Sequence, residues 1–112
     1  MDKAPEICKK YGSAFDCPKP GTRIAIALKT LGQIPTYGLR EFPMTDDPNE
    51  ITWFLFCGAN TGEDDFFDVM CVEHIAETLP EVMPYLGLEY GFRFVIDHEG
   101  YEDVYFEAPQ IS

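Results

Sequence analysis

A chain of 112 residues with 46% hydrophobic content, nine Phe, six Tyr and one Trp is long and aromatic enough for one domain around one core, which excludes disorder of the whole. Eight basic residues face twenty acidic ones, a net charge of -12, which excludes a basic nucleic-acid-binding surface. No apolar run approaches a membrane span, and the first six residues hold nothing like a secretory signal, so a complete chain of this sequence is expected to be soluble and cytoplasmic.

Residues 1–22 are rich in Lys, Pro and Gly and carry no clean period. They read as an N-terminal extension, either a loose arm or a short helix around residues 7–11. The prolines of Cys17-Pro18-Lys19-Pro20-Gly21 make that stretch extended or turning. Residues 23–28 alternate, with Ile24, Ile26 and Leu28 on one side, and predict a strand ended by Gly32, although Ala25 and Ala27 also allow a helix. Residues 36–42 predict a second strand between Pro35 and Pro43, followed by a polar loop. Residues 51–57 carry the clearest strand pattern. Trp53, Leu55 and Cys57 point one way and Phe54 and Phe56 the other, as in a central strand covered on both faces or lining a site.

The spacing of Val69, Val72, Ile75, Ala76 and Leu79 predicts the main helix at 69–79, capped by Asp68. A short further turn is expected at 81–86. The chain closes as a hairpin of 92–96 and 103–107 around Asp97-His98-Glu99-Gly100, with Gly100 suited to a left-handed position. This order predicts an α+β domain over residues 23–107: a mostly antiparallel sheet of about five strands with one main helix packed on it, followed by a tail at 108–112.

Charge divides the chain. Residues 1–40 hold seven basic and three acidic residues, net +4, whereas residues 41–112 hold seventeen acids and Arg93 alone, net -16. Such a distribution reads either as a solubilising surface or as a face that steers toward a basic partner. Chemistry finds less support. Ser13 and Ser112 are the only serines and neither lies in a nucleophile elbow, and no Gly-rich phosphate loop is present. Cys8, Cys17, Cys57 and Cys71 lack paired zinc spacings, although Cys71 and His74 are three apart. A Cys57 or Cys71 pairing with His74 or His98, and oxygen ligation by Asp64, Asp65 and Asp68, are weaker readings than core packing, capping and solvation. No catalytic residue, metal site or cofactor is therefore expected. Arg93, alone among acids, should make at least one ion pair. In the closing hairpin, Asp97, Glu99, Glu102, Asp103 and Glu107 surround Tyr101 and Tyr105. In a strand Tyr101, Asp103, Tyr105 and Glu107 would share one side, a candidate partner-binding surface.

Several segments together resemble a known family. They are Tyr37-Gly38-Leu39-Arg40-Glu41, then Trp53 and Gly58, Asp65-Phe66-Phe67-Asp68, Val72-Glu73-His74-Ile75 and Leu79-Pro80-Glu81-Val82. Tyr85-Leu86-Gly87-Leu88, Gly91-Phe92-Arg93-Phe94 and Gly100-Tyr101-Glu102-Asp103-Val104 complete the run. It is similar to the thirty-third class of bacterial polymorphic-toxin immunity proteins and their relatives, over about residues 36–106. Residues 1–35 fall outside the resemblance, and Glu89-Tyr90-Gly91 stands where members often carry Pro-Pro-Gly. The resemblance implies a non-enzymatic cytoplasmic inhibitor that binds a cognate toxin, a protein expected to present a basic surface, with no direct binding of nucleic acid or membrane. The alternatives are an acidic interaction module, such as a nucleic-acid mimic or regulatory subunit, and a small Cys/His metalloprotein or enzyme.

Overall fold

The computed structural model describes residues 4–16, 18–47, 50–58, 67–97 and 99–107. Its centre is a six-stranded sheet of β1 (Arg23–Ile26), β2 (Thr36–Arg40), β3 (Trp53–Cys57), β4 (Asp68–Cys71), β5 (Phe92–Ile96) and β6 (Glu102–Phe106), in the order β4-β1-β3-β2-β5-β6. All neighbours are antiparallel except β1 and β3, so the sheet is mixed and has one strand more than the pattern predicts. β3, with apolar side chains on both sides, inserts between β1 and β2, the interior position its composition suits.

The extra strand comes from the start of the expected helix. Asp68–Cys71 pairs antiparallel with β1, placing Val69 opposite Ala25, and the main helix α2 (Val72–Thr78) begins at the next residue. Asp68 is thus a strand residue and not a cap; Cys71, in extended conformation, precedes the helix, and the Val72 N–H donates to Thr22 O at 2.8 Å. Of the predicted apolar stripe, Val72, Ile75 and Leu79 are buried, while Val69 and Ala76 are exposed. A 3₁₀ segment at Pro80–Tyr85 follows, and another lies at Leu28–Thr30, where the first strand was expected to continue.

At the N-terminus the helical alternative is the one formed: α1 spans Ala4–Lys10, with Cys8 fully buried and Ile7 and Tyr11 packed on the core. The expected tail at 108–112 lies outside the described residues. α1, α2 and the 80–85 segment cover one side of the sheet, enclosing Ile24, Ile26, Trp53, Leu55, Phe92, Phe94 and Val104. Trp53 is 2% exposed, and its indole N–H donates to Leu86 O at 3.2 Å. Phe94 stacks on Tyr85 at 4.8 Å between ring centres and sits directly over Gly38.

Because a Cβ at Gly38 would overlap the Phe94 ring, β2 needs glycine there for reasons of space. Gly38→Ala should lower stability by about 1–3 kcal/mol through overpacking, and Trp53→Ala by roughly 3–5 kcal/mol through the void and the orphaned Leu86 carbonyl. Chemical denaturation of both variants checks this; Gly38→Ala unfolding with wild-type stability would contradict it.

Candidate partner-binding face

The closing hairpin is set by its turn. One Asp97 carboxylate oxygen accepts the N–H groups of Glu99 at 2.8 Å and Tyr101 at 3.0 Å, and Gly100 adopts a φ of 91°, the left-handed geometry expected of it. His98 lies outside the described residues. From this turn the register runs Ile96–Glu102, Val95–Asp103, Phe94–Val104, Arg93–Tyr105 and Phe92–Phe106. Since Phe94 and Val104 point into the core, Asp103 and Tyr105 project from the opposite side of the sheet, beside Val95 and Arg93.

That opposite side carries no described helix. Across it, from β6 toward β4, run Asp103 and Tyr105, Val95 and Arg93, Tyr37 and Leu39, Phe56 and Phe54, then Val69. Tyr37 stacks on Phe56 at 4.9 Å, and Phe67 meets Phe54 edge-on at 5.5 Å. Tyr105 is 42% and Val69 55% exposed. Acids rim the β5–β6 end. Glu107 follows β6 with its N–H donating to Gly91 O, and its carboxylate lies 2.7 Å from Arg93 Nε; Glu41 lies 3.6 Å from the same guanidinium. Arg93 thus makes the expected ion pair, twice, and its partners are Glu107 and Glu41. Asp103 is exposed and has no side-chain partner among the described residues.

Of the residues singled out in the hairpin, Asp103 and Tyr105 share this face, Tyr101 and Glu107 flank the strand on the same alternation, and Glu99 is exposed in the turn. Glu102 points the other way. Its carboxylate accepts from the hydroxyls of Tyr11 and, at 2.5 Å, Tyr85, and pairs with the Lys10 ammonium at 3.0 Å. The two phenols, Tyr11 foremost, and the ammonium hold the Glu102 carboxyl at about 2, against an ordinary value near 4.5. Burial, then the hydrogen bond to Glu102, pushes the Tyr85 phenol well above its usual range. This cluster joins α1, the 80–85 segment and β6. Its partners lie 91 and 92 residues away in the N-terminal segment, where local spacing gives no sign of them.

The Cys/His pair also has a definite geometry. Cys71 Sγ lies 3.2 Å from His74 Nδ1 at the entry to α2, but no group orients the second ring nitrogen among the described residues, and a nucleophilic pair needs that third member. Cys57 is buried, with its Sγ 3.5 Å from the Thr36 hydroxyl. No group of three or more His, Cys, Asp or Glu capable of holding a metal occurs among the described residues. Cys17, Asp64 and Asp65 lie outside them.

Comparison with known families decides the relationship: the model of the Imm33-like domain matches residues 3–107. The chain belongs to the Imm33-like domain family. This is an immunity-protein family, generally non-enzymatic, and the match runs from α1 to the end of β6, so it also takes in residues 3–35, which the sequence resemblance leaves out. No curated protein and no solved structure matches the chain. No described helix is long and apolar enough to cross a membrane.

The Glu102 cluster predicts a particular acid sensitivity. A carboxyl held below its unfolded value contributes stability that is complete above about pH 4.5 and disappears as pH falls through about 2. Glu102→Gln should therefore destabilise the protein at neutral pH by roughly 2–3 kcal/mol, with the gap to wild type closing below pH 4.5. Unfolding free energies of both proteins across pH 2–7 measure it; a gap that stays constant through the acid range would contradict it.

Proposed function

We propose that this chain is a non-enzymatic cytoplasmic immunity protein that neutralises a cognate bacterial toxin by binding it with the face of its sheet that bears Asp103 and Tyr105. The observation that carries the reading is a strip on which exposed Tyr105 and half-buried Tyr37, Leu39 and Val95 lie beside acidic side chains, in a member of an immunity-protein family. Such a face has the composition of a recognition surface: rigid rings supply contact area, and peripheral charges select and steer the partner. Tyr105 is the central anchor, beside Val95, Leu39 and Tyr37. Asp103, Glu107 and Glu41 form the rim, with Tyr101, Asp97 and Glu99 extending it along the hairpin. Glu102 belongs to the stabilising cluster on the other side.

The acidic rim suits a toxin with a basic surface, and the net charge of -12 extends that attraction beyond the contact itself. Inhibition then follows from occupation of the toxin's surface, with no bond made or broken. Among described residues the Cys71–His74 pair supplies the only thiol–imidazole contact, and the binding mechanism assigns it no role.

Rim and anchor should separate kinetically. Asp103→Asn with Glu107→Gln should slow association with the cognate toxin severalfold at low salt and flatten its salt dependence. The melting temperature should change little, because Asp103 has no partner to lose and Glu107 gives up one surface pair. Tyr105→Ala should leave association nearly unchanged and speed dissociation about tenfold or more. Stopped-flow and surface-binding kinetics on the same variants check both. Wild-type rates for all of them, with toxin still bound, would move the contact elsewhere.

A further inference from the structure

The sheet ends at β6, which has β5 on one side and no described strand on the other. Two hydrogen bonds bracket the hairpin and fix which backbone groups meet β5. The Glu107 N–H donates to Gly91 O at 2.9 Å, and the Asp97 N–H donates to Tyr101 O at 3.3 Å. In an antiparallel ladder the hydrogen-bonded pairs recur at every second residue. The register therefore makes Arg93–Tyr105 and Val95–Asp103 bonded pairs. Glu102, Val104 and Phe106 alternate with them and turn their N–H and C=O groups to the outer edge. None of those backbone groups has a hydrogen-bond partner among the described residues.

Such a row of donors and acceptors is a template for another strand. Edges are commonly blunted by Pro, Lys or a bulge. β6 holds neither Pro nor Lys, and it pairs with β5 residue for residue. It carries negative charge instead. Glu102 is paired with Lys10 and Glu107 with Arg93, whereas the exposed Asp103 carboxylate has no partner among the described residues.

That charge selects the occupant. A second copy of this chain would bring another net charge of -12 and a second Asp103 to the edge, and like charges oppose that pairing. A basic segment meets the same edge with opposite sign. Side chains alternate across an added strand, so its cations would fall on the side of Asp103 and Tyr105 and its apolar groups on the side of Phe106. Tyr105 is 42% and Phe106 52% exposed, so each offers a ring to that strand, and a cation suits the Tyr105 ring as well as the Asp103 carboxylate.

We propose that the cognate toxin docks by adding an extended basic segment to the outer edge of β6 as a seventh strand. The proposal rests on the reading of this chain as a toxin-binding protein, and it specifies that backbone pairing at β6 engages the face that bears Asp103 and Tyr105.

A synthetic peptide of alternating Arg and Val, about seven residues long and blocked at both ends, is the probe. Amide exchange of the full chain is followed by NMR with and without it. In the free chain the Val104 and Phe106 amides should exchange quickly, and the Asp103 and Tyr105 amides, bonded to β5, slowly. Saturating peptide should slow Val104 and Phe106 about tenfold or more and leave the other two unchanged. N-methylation of the alternate peptide amides that face β6 should abolish the effect, and N-methylation of the other set should leave it. Asp103→Lys, at an exposed position, should weaken peptide binding about fivefold with little change in melting temperature. Val104 and Phe106 amides already protected in the free chain, no slowing with peptide, or equal effects of the two methylated sets would overturn strand addition. If Tyr105→Ala still speeds toxin dissociation in that case, the binding face stands without it. Wild-type toxin kinetics in the Tyr105 and Asp103–Glu107 variants would overturn the face itself, and strand addition with it.

Discussion

The buried guanidinium of Arg40 is the contact on which this architecture turns. A charge taken out of water needs partners, and Arg40 recruits three acceptors from two distant parts of the chain: the carbonyl and carboxylate of Asp16, and the Leu88 carbonyl, while its buried Nε has none among the described residues. The Asp16 N–H in turn donates to Gly87 O at 2.7 Å, so the segment after α1 is fastened to the loop before β5. With that segment fixed, α1 lies on the core, Cys8 is buried, and Tyr11 and Lys10 reach Glu102 on β6. One arginine at the end of β2 thus brings the N-terminal residues and the closing hairpin into a single cooperative unit.

A consequence is that the sheet's two sides have separate work. The helices α1 and α2, the 80–85 segment, the buried arginine and the three-donor carboxylate lie on the core side, where they hold the fold together. The other side carries half-buried Tyr37, Leu39 and Val95 and exposed Tyr105, with Asp103 and Glu107 at their margin. The strand alternation that sends Val104 into the core sends Asp103 and Tyr105 outward, so a stable hairpin and an exposed pair on the other side arise from the same register.

Much of this was legible in the sequence, and the rest was hidden for physical reasons. Alternation in 51–57 identified a strand with two apolar sides, and β3 is the interior strand; the turn chemistry of Asp97 and Gly100 identified the hairpin. Alternation gives the side a residue faces but not which strand lies beside it, so the parallel pairing of β3 with β1 was invisible. Val69 and Ala76 fit a helical stripe as well as Val72 and Ile75 do, so the helix read longer than α2; pairing of 68–71 with the open edge of β1 decides the boundary. On the candidate face, the sharing of one side by Asp103 and Tyr105 followed from strand period alone. Glu102 read as one more surface acid because its partners, Tyr11 and Lys10, are brought to it only by tertiary structure, and Arg40 gave no sign of burial because its acceptors are mostly backbone carbonyls.

The central claim is that the face of the sheet bearing Asp103 and Tyr105 contacts the toxin. Side-chain oxidative footprinting of the free chain and of its complex with a cognate toxin tests this directly. The account predicts that Tyr105, Leu39 and Val95 become protected in the complex, whereas Phe15, exposed on the N-terminal segment, is labelled as before. Protection of Phe15 with Tyr105 still fully labelled would contradict it.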